Sequence, residues 1–112
     1  MLKVREPWAS LLVDGCKSME IRGFRCAKPA GTTVYIAPSG TRGVAIGCVE
    51  FIKTVGPLST AEWQQLRSEH RVPTTDRTYG AHTYGWVVAR PQRFASPLLY
   101  EQKKGAVIWQ VA

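Results

Sequence analysis

The stretch Gly15-Cys16-Lys17-Ser18-Met19-Glu20-Ile21-Arg22 places a lysine, a glutamate and an arginine within six residues. A short helix is predicted just before it, because Trp8, Leu11 and Leu12 recur at helical spacing. Gly15 can adopt the left-handed backbone that ends a helix. The charged residues therefore lie at a corner between a helix and a strand, where rigid elements hold side chains in place. We interpret this corner as the site around which the chain is organised.

The strand after the corner is predicted over residues 18–24 and carries two kinds of side chain. Met19 and Ile21 share one face, whereas Glu20 and Arg22 share the other, because side chains alternate along a strand. The apolar pair is expected to anchor the strand in the core. Packing would then fix the charged pair, which would not depend on a loose loop for its position.

Further strands and a second helix are predicted from alternation, β-branched content and turn residues. The strands cover residues 2–5, 18–24, 32–37, 43–55, 84–90 and 105–111, and Pro91 is expected to end the fifth of them. Ser59 and Glu62 form a capping box, which predicts a helix over residues 60–69. Residues 71–83 are predicted to form an irregular loop. Near Gly47 the apolar phase changes, which predicts a bulge or a sharp bend.

This order of elements predicts an α+β fold in one domain of residues 1–112. Strands and helices do not alternate along the chain as they do in a doubly wound parallel sheet. Bent strands are the means by which a small sheet curls. We therefore expect a small, strongly curved mixed β-barrel with two flanking α-helices at its rim.

The composition favours a polyanionic partner. Fifteen Lys and Arg against eight Asp and Glu give a net charge of +7 and a pI of about 9.7. Nine of the fifteen basic residues are arginine, whose guanidinium group fits phosphate with two hydrogen bonds. The four Trp, four Tyr and three Phe supply aromatic surfaces for unpaired bases. A net charge of this size also serves simple solubility, so charge alone leaves both interpretations open.

Several classes of protein are not expected. No apolar run approaches the roughly 20 residues that span a bilayer, and the N-terminus lacks the apolar core of a signal peptide. A cytoplasmic protein without a membrane partner is therefore predicted. Cys16, Cys26 and Cys48 include no C-x-x-C pair, so they indicate neither a disulfide framework nor a zinc site. They are interpreted as small apolar residues, and no metal ligands are assigned.

Two parts of the sequence carry a family resemblance. Residues 5–22 resemble the ASCH domain signature, which has an R-x-P-W-A start followed by G-x-K-x-x-E-x-R, and every fixed position is filled here. The C-terminal part is similar to the closing strands of that family, on Tyr84-Gly85-Trp86-Val87-Val88 with Pro91, then Pro97, Lys104-Gly105 and Trp109. The resemblance covers essentially the whole chain.

The resemblance implies a fold and a range of functions. It implies the PUA-like fold, a β-barrel with flanking helices, and a cleft at the first helix–strand corner that Lys17, Glu20 and Arg22 line. Members of the family are linked to binding of RNA or other nucleic acid. One bacterial branch is an amidohydrolase acting on N4-acetylcytidine, and a metal-assisted ribonuclease activity has also been attributed to the family. The partner implied is RNA, another single-stranded nucleic acid or a modified nucleoside.

For binding, each charged residue of the motif has a chemical role. Lys17 and Arg22 would hold phosphate, while Glu20 accepts hydrogen bonds from a base edge or a sugar. This is the function that we consider best supported by the sequence. The candidate nucleic-acid-binding residues are Lys17, Glu20, Arg22, Trp8, Arg5, His82, Tyr84 and Lys104.

Aromatic and histidine residues are harder to assign. Trp8, Tyr84 or Trp86 would stack on an unpaired base if exposed, although Trp8 also suits core packing beside its helical neighbours. His70 and His82 are isolated in the sequence and are expected to be structural or exposed. His82 is the better candidate for lining a cleft. Whether the loop of residues 71–83 closes over that cleft stays open at this stage.

If the protein is an enzyme, Lys17 and Glu20 are the catalytic candidates. The amidohydrolase branch resembles this chain at Lys17 but has a threonine where this chain has Glu20, so that branch's hydroxyl nucleophile is missing here. A nuclease would use Glu20 and a second carboxylate to hold a divalent metal ion, and the available partners are Asp14, Glu50, Glu69 and Asp76. No other cofactor is expected. The remaining alternative is that the motif forms only a closed ion-pair cluster that stabilises the corner.

Overall fold

The computed structural model of the protein describes residues 1–41 and 43–99. The strands are β1 Leu2–Val4, β2 Met19–Arg22, β3 Thr33–Pro38, β4 Val44–Val55 and β5 Tyr84–Leu99. The helices are α1 Trp8–Val13, α2 Thr60–Gln65 and α3 Arg67–His70, and a 3-10 turn covers Gly80–His82. Within these residues the strands form one mixed sheet of order β1-β3-β4-β5-β2, in which only β1 and β3 run parallel. The predicted α+β class is confirmed.

Strand pairing does not close the sheet within the described residues, so the predicted barrel is not confirmed. Its two edge strands are linked by a side chain instead, because Arg22 Nη2 on β2 donates to the Lys3 carbonyl on β1 at 2.9 Å. The predicted bend at Gly47 is present, and the pairing register shifts on both sides of it. A Cβ at Gly47 would lie 2.7 Å from Val13 and 2.2 Å from the Gln92 carbonyl oxygen, so glycine lets α1 pack against the sheet here.

The corner after α1 is rigid. Ala9, Leu12 and Val13 are buried in the main core against the sheet. Gly15 has a φ of 82°, as predicted for the residue that ends the helix. The backbone N–H groups of the next two residues both donate to the Leu11 carbonyl, at 2.9 and 3.0 Å. The path of the chain into β2 is therefore fixed by backbone hydrogen bonds before any side chain of the motif is considered.

A second core cluster lies beneath β2. Met19 and Ile21 are buried there with Leu58 and Trp63, which confirms that the apolar face of β2 points inward. The predicted capping box of α2 is also confirmed, because the Ser59 side chain accepts from the Glu62 N–H and the Glu62 side chain accepts from the Ser59 N–H. Leu58 and Trp63 flank this cap as a hydrophobic staple.

The predicted single helix over residues 60–69 is wrong, because the helix is broken at Leu66. In a continuous helix the Trp63 carbonyl would accept from the Arg67 N–H. Here the His70 ring nitrogen Nε2 occupies that carbonyl at 2.8 Å. Leu66 leaves helical geometry, with a φ of −92° and a ψ of 12°, and α3 starts again as a short turn. The break lets His70 fold back onto α2.

The predicted end of the fifth strand at Pro91 is also wrong, because β5 continues to Leu99. Glu50 pairs with Ala89 and Cys48 pairs with Gln92, so two residues of β5, Arg90 and Pro91, stand opposite one residue of β4. Pro91 sits in this bulge, where its missing N–H costs no ladder hydrogen bond. The predicted strand over residues 105–111 lies outside the described residues. Among the helices of residues 1–41 and 43–99, none has the length and apolar character to cross a membrane.

Candidate functional site

A cleft of about 900 Å³ lies between the α1–β2 corner, strand β1 and the loop of residues 72–79. One side is formed by the motif strand and the N-terminal strand, and the other side by the loop. The lining residues are Lys3, Val4, Arg5, Trp8, Lys17, Glu20, Ile21, Arg22, Ser39, Val72, Pro73, Thr74, Thr75, Asp76, Arg77, Thr78 and Tyr79.

The floor of the cleft is a chain of three charged side chains. Lys17 Nζ donates to the His70 carbonyl and lies 3.8 Å from Glu20 Oε1. The other carboxylate oxygen, Glu20 Oε2, accepts from Arg22 Nη2 at 2.6 Å and from Arg22 Nε at 3.0 Å. The Lys17 side chain is 1% exposed and the Glu20 side chain is 8% exposed. The motif is thus an ion-pair cluster and a cleft floor at the same time.

Burial tunes the chemistry of Lys17. The pKa of Lys17 is lowered to about 8, chiefly because burial desolvates the ammonium; the Glu20 carboxylate opposes this shift, and the Arg22 guanidinium adds to it. At pH 7 roughly a tenth of the molecules would then carry a neutral amine at this position. Lys17 is therefore a cation at physiological pH that gives up its proton more easily than an ordinary lysine.

Two atoms of the floor keep hydrogen-bonding capacity for a ligand. In the part of the chain that the structure describes, Glu20 Oε1 accepts no hydrogen bond and Arg22 Nη1 donates none. No buried side-chain nitrogen or oxygen among these residues lacks a partner, so both atoms reach solvent rather than being sealed in. The two residues that carry this acceptor and this donor both line the cleft.

The loop forms a fixed wall in this structure. Its backbone carbonyls accept hydrogen bonds from side chains of α2 and α3. Trp63 Nε1 donates to the Thr74 carbonyl at 3.0 Å, and Arg67 donates to the Pro73 and Thr74 carbonyls, both at 3.1 Å. Arg77 in turn donates to the Leu58 carbonyl at 3.0 Å. Residues 72–79 of the predicted irregular loop thus form one side of the cleft.

His70 connects the wall to the floor. Its ring stacks on Trp63 with 4.0 Å between ring centroids, and the residue is fully buried. Nδ1 accepts from the Val72 N–H at 2.9 Å, so the ring is neutral with its proton on Nε2, which donates to the Trp63 carbonyl. The His70 carbonyl accepts from Lys17. The structural role predicted for His70 is found, but its contact with the motif lysine was not foreseen.

We expect the free energy of unfolding to fall as the pH is lowered from 7.5 to 5.5. Burial lowers the pKa of His70 from its ordinary value of 6.5, although the Trp63 carbonyl opposes the shift. Below about pH 6.5 the unfolded chain binds a proton on this histidine that the folded protein does not bind. The contribution of neutral His70 to the free energy of unfolding is therefore complete above that pH and is lost progressively below it. Urea unfolding at the two pH values measures the loss.

Two variants separate His70 from the other titrating groups. His70→Gln should reduce the loss of stability between the two pH values, because the side chain that takes up the proton on unfolding is gone. His82→Ala, which removes an exposed histidine, is the matched control. An equal loss in His70→Gln and in the parent protein would contradict the assignment.

The cleft brings together five of the predicted nucleic-acid-binding residues: Arg5, Trp8, Lys17, Glu20 and Arg22. Arg5 is exposed and Trp8 is half-buried at the cleft. Within the described ranges, His82 and Tyr84 are not among the lining residues. Trp86, the third stacking candidate, is buried and donates from Nε1 to the Phe24 carbonyl. Lys104 lies outside the described residues.

The loop contributes residues that sequence reasoning missed. Arg77 and Tyr79, with three threonines, line the cleft. No periodicity marks this loop, so the sequence carries no signal for its position.

The carboxylates considered as metal partners of Glu20 are mostly engaged elsewhere. Asp14 accepts two hydrogen bonds from Arg93, Glu50 accepts from Arg90, and Glu69 accepts from the Ser68 hydroxyl, whereas Asp76 lines the cleft. Within residues 1–41 and 43–99, no three His, Cys, Asp or Glu side chains are placed to hold a metal ion. The donor set at Glu20 also fits a metal poorly, because one carboxylate oxygen bonds Arg22 and the other faces the Lys17 ammonium.

Comparisons with known proteins agree with this fold. The family model described as ASCH domain matches residues 2–106. The solved structure of ASCH from Zymomonas mobilis is 15% identical to this chain, with a TM-score of 0.70; the match covers 82% of this chain and 67% of the Zymomonas chain. A tyrosine-to-phenylalanine variant of that protein is 14% identical, with a TM-score of 0.72, and the match covers 88% of this chain and 73% of the variant. A serine-to-alanine variant is 17% identical, with a TM-score of 0.69, and the match covers 88% of this chain and 71% of the variant. At such identity the likeness shows the fold alone. A search of curated proteins gives no match.

Proposed function

We propose that this chain, which belongs to the ASCH domain family, binds single-stranded RNA through one nucleotide held in the cleft. The observation that carries the proposal is the floor itself. Glu20 Oε1 offers an acceptor and Arg22 Nη1 offers a donor, on side chains that are mostly buried and fixed by their mutual hydrogen bonds. A fixed acceptor and a fixed donor of this kind can pair with the edge of an unpaired base.

The distribution of charge supports placing the base on the floor and the phosphate at the mouth. The Glu20 carboxylate pairs with both Lys17 and Arg22 and cancels one of their two positive charges, so these two cations are less available to phosphate than exposed ones. Arg5 is exposed at the cleft and Arg77 lines its loop side. Phosphate contacts from such exposed cations provide affinity without sequence preference. The half-buried Trp8 ring supplies an apolar surface for stacking.

The test is a titration of fluorescently labelled single-stranded RNA, followed by anisotropy at several salt concentrations. We expect affinity to fall steeply as the salt concentration rises. Arg5→Gln should make the slope of log affinity against log salt concentration shallower by about 1, the value of one lost phosphate contact. Trp8→Ala should weaken binding by about 1–3 kcal/mol, the usual value of one stacked base. Arg90→Gln removes the same charge outside the cleft and serves as the matched control. Binding that is absent, insensitive to salt or equally weakened by Arg90→Gln would overturn the proposal.

An amidohydrolase is the second candidate, and the lowered pKa of Lys17 beside Glu20 favours it. A neutral Lys17 amine can take a proton from an attacking water, and its ammonium form can return a proton to the departing amine. Water would split N4-acetylcytidine into cytidine and acetate. Glu20 stands where the amidohydrolase branch has its threonine, and Ser18 is exposed outside the cleft lining. Cytidine release that disappears in Lys17→Met would support this candidate, and no release would exclude it.

A ribonuclease is the remaining alternative of the family. Among the residues described, Glu20 and Asp76 are the carboxylates that line the cleft. Because the donor set fits a metal ion poorly, we derive no metal-assisted step. RNA cleavage should be measured with and without a chelator and in Glu20→Gln. Cleavage that survives in Glu20→Gln would indicate a contaminating ribonuclease.

A further inference from the structure

Two large apolar side chains stand exposed beside the cleft. Phe24 and Tyr79 are each 47% exposed. The Tyr79 ring lines the cleft and lies flat against the backbone of Gly23, since a Cβ at Gly23 would be 3.2 Å from Tyr79 Cδ1. Phe24 is the next residue along the chain. The two rings therefore begin an exposed aromatic surface at the edge of the cleft.

Phe24 shares a packing partner with the cleft floor. Its ring meets the Trp86 ring edge-on, with 5.6 Å between centroids. The Arg22 guanidinium lies 5.9 Å from the centroid of the same Trp86 ring. Phe24 and the floor arginine thus both pack against Trp86. The exposed Phe24 follows Gly23, which Tyr79 of the cleft wall contacts.

The surface continues with a cation over an aromatic ring. The Arg25 guanidinium lies 5.6 Å from the centroid of the Tyr84 ring and donates to the Gly56 carbonyl at 3.3 Å. Arg25 is exposed and Tyr84 is half-buried. We call Tyr79, Phe24, Arg25 and Tyr84 the outer strip. Tyr84, which does not line the cleft, belongs to it.

We propose that the outer strip carries the RNA strand onward from the cleft, so that the protein holds a run of several nucleotides and not one nucleoside. Aromatic rings interleaved with cations are the surface that single-stranded nucleic acid uses, because every base can stack and every nucleotide carries a phosphate. This inference rests on the proposed function of the cleft. It assigns the class of ligand as an extended single strand.

Charge and continuity select nucleic acid over a protein partner. The strip begins at the cleft wall through Tyr79, and its exposed Arg25 presents a positive charge on a chain of net charge +7. An apolar protein partner would have to bury this guanidinium group, whereas a strand phosphate would pair with it.

The experiment compares uridine monophosphate with uridine oligonucleotides of increasing length, using the full chain. Affinity of the parent protein should rise with length. Phe24→Ala should weaken binding of the longest oligonucleotide by ~5–150-fold, the effect of one stacked base, and should leave the mononucleotide affinity unchanged. Arg25→Gln should do the same with less risk to folding, because Arg25 is exposed. Leu98→Ala, which shortens an apolar side chain that is 44% exposed on β5, is the matched control.

Each other outcome identifies which proposal fails. Equal affinity for the mononucleotide and the oligonucleotides would contradict RNA binding by the outer strip and would leave the cleft proposal standing. An equal loss in both ligands for Phe24→Ala would show that the ring acts through Trp86 on the cleft, which also overturns the strip. Unchanged oligonucleotide affinity in both strip variants would point to a protein partner for this surface. No binding of any ligand would overturn the cleft proposal as well.

Discussion

Replacing Glu20 by alanine is expected to lower the free energy of unfolding by about 3–5 kcal/mol, because it leaves the buried Lys17 ammonium without a compensating charge. The same change frees the Arg22 guanidinium, which donates two hydrogen bonds to Glu20 and a third to the Lys3 carbonyl between the edge strands. Unfolding in urea, followed by tryptophan fluorescence, measures the loss. We also expect the cleft to lose its ligand, since the acceptor on its floor is gone.

A second ion pair of this protein provides the control. Glu50 on β4 pairs with Arg90 at 2.6 Å, but that arginine side chain is 73% exposed. Glu50→Ala should therefore cost only about 0–1 kcal/mol, as exposed ion pairs do. Adding Lys17→Met to Glu20→Ala should recover part of the lost stability, because the unpaired buried charge is then removed. Equal losses in Glu20→Ala and Glu50→Ala would contradict a buried, structurally essential floor.

Replacing Trp63 by alanine is expected to cost about 3–5 kcal/mol, the usual effect of truncating a fully buried tryptophan. The effect should extend to the cleft, because Trp63 Nε1 donates to the Thr74 carbonyl in the wall and the indole stacks on His70. RNA affinity should therefore fall together with stability, although Trp63 does not line the cleft. Urea unfolding and RNA titration on the same sample measure the two losses.

Two tryptophan variants separate packing from ligand contact. Trp63→Phe keeps an aromatic ring against His70 but removes the indole donor, so it should lose less stability than Trp63→Ala and still loosen the wall. Trp8→Ala should show the opposite balance, with a smaller loss of stability and a larger loss of affinity, because Trp8 is half-buried at the cleft. Unchanged RNA affinity in Trp63→Ala would show that the wall does not depend on this anchor.

The corner and its supports could be predicted from the sequence because each depends on local chemistry. Gly15 ends α1 by its own backbone freedom, the Ser59–Glu62 cap forms within four residues, and Gly47 marks its bend by a change of apolar phase. Met19 and Ile21 follow the simple alternation of a strand. These features need no knowledge of distant parts of the chain.

The remaining features depend on contacts between distant residues, which local patterns do not encode. The helix breaks at Leu66 because the His70 ring takes the Trp63 carbonyl, and propensity alone predicts a continuous helix. Strand β5 continues through Pro91 because β5 bulges there against β4. The two edge strands of the sheet are linked by one hydrogen bond from Arg22 to the Lys3 carbonyl.

The site also combines features set by local sequence with features set by contacts between distant residues. The motif predicted which charged residues would gather, since Lys17, Glu20 and Arg22 are close in sequence. It left open whether the three side chains would form a closed ion-pair cluster or line a cleft, because that depends on burial. Nor did it predict the wall, since residues 72–79 are held in place by Trp63 and Arg67 and not by their own pattern. Tyr84 illustrates the consequence, as a plausible stacking residue that lies outside the cleft lining.

Nuclear magnetic resonance of the nitrogen-15-labelled protein during titration with a short single-stranded RNA tests whether the cleft floor binds the ligand. We predict that the Trp8 indole N–H and the Arg22 Nε–H signals shift in a saturable way. The Trp63 indole N–H, which is buried and bonded to Thr74, should stay nearly constant. Constant Trp8 and Arg22 signals, with shifts confined to residues away from the cleft, would contradict a ligand site on the Lys17–Glu20–Arg22 floor.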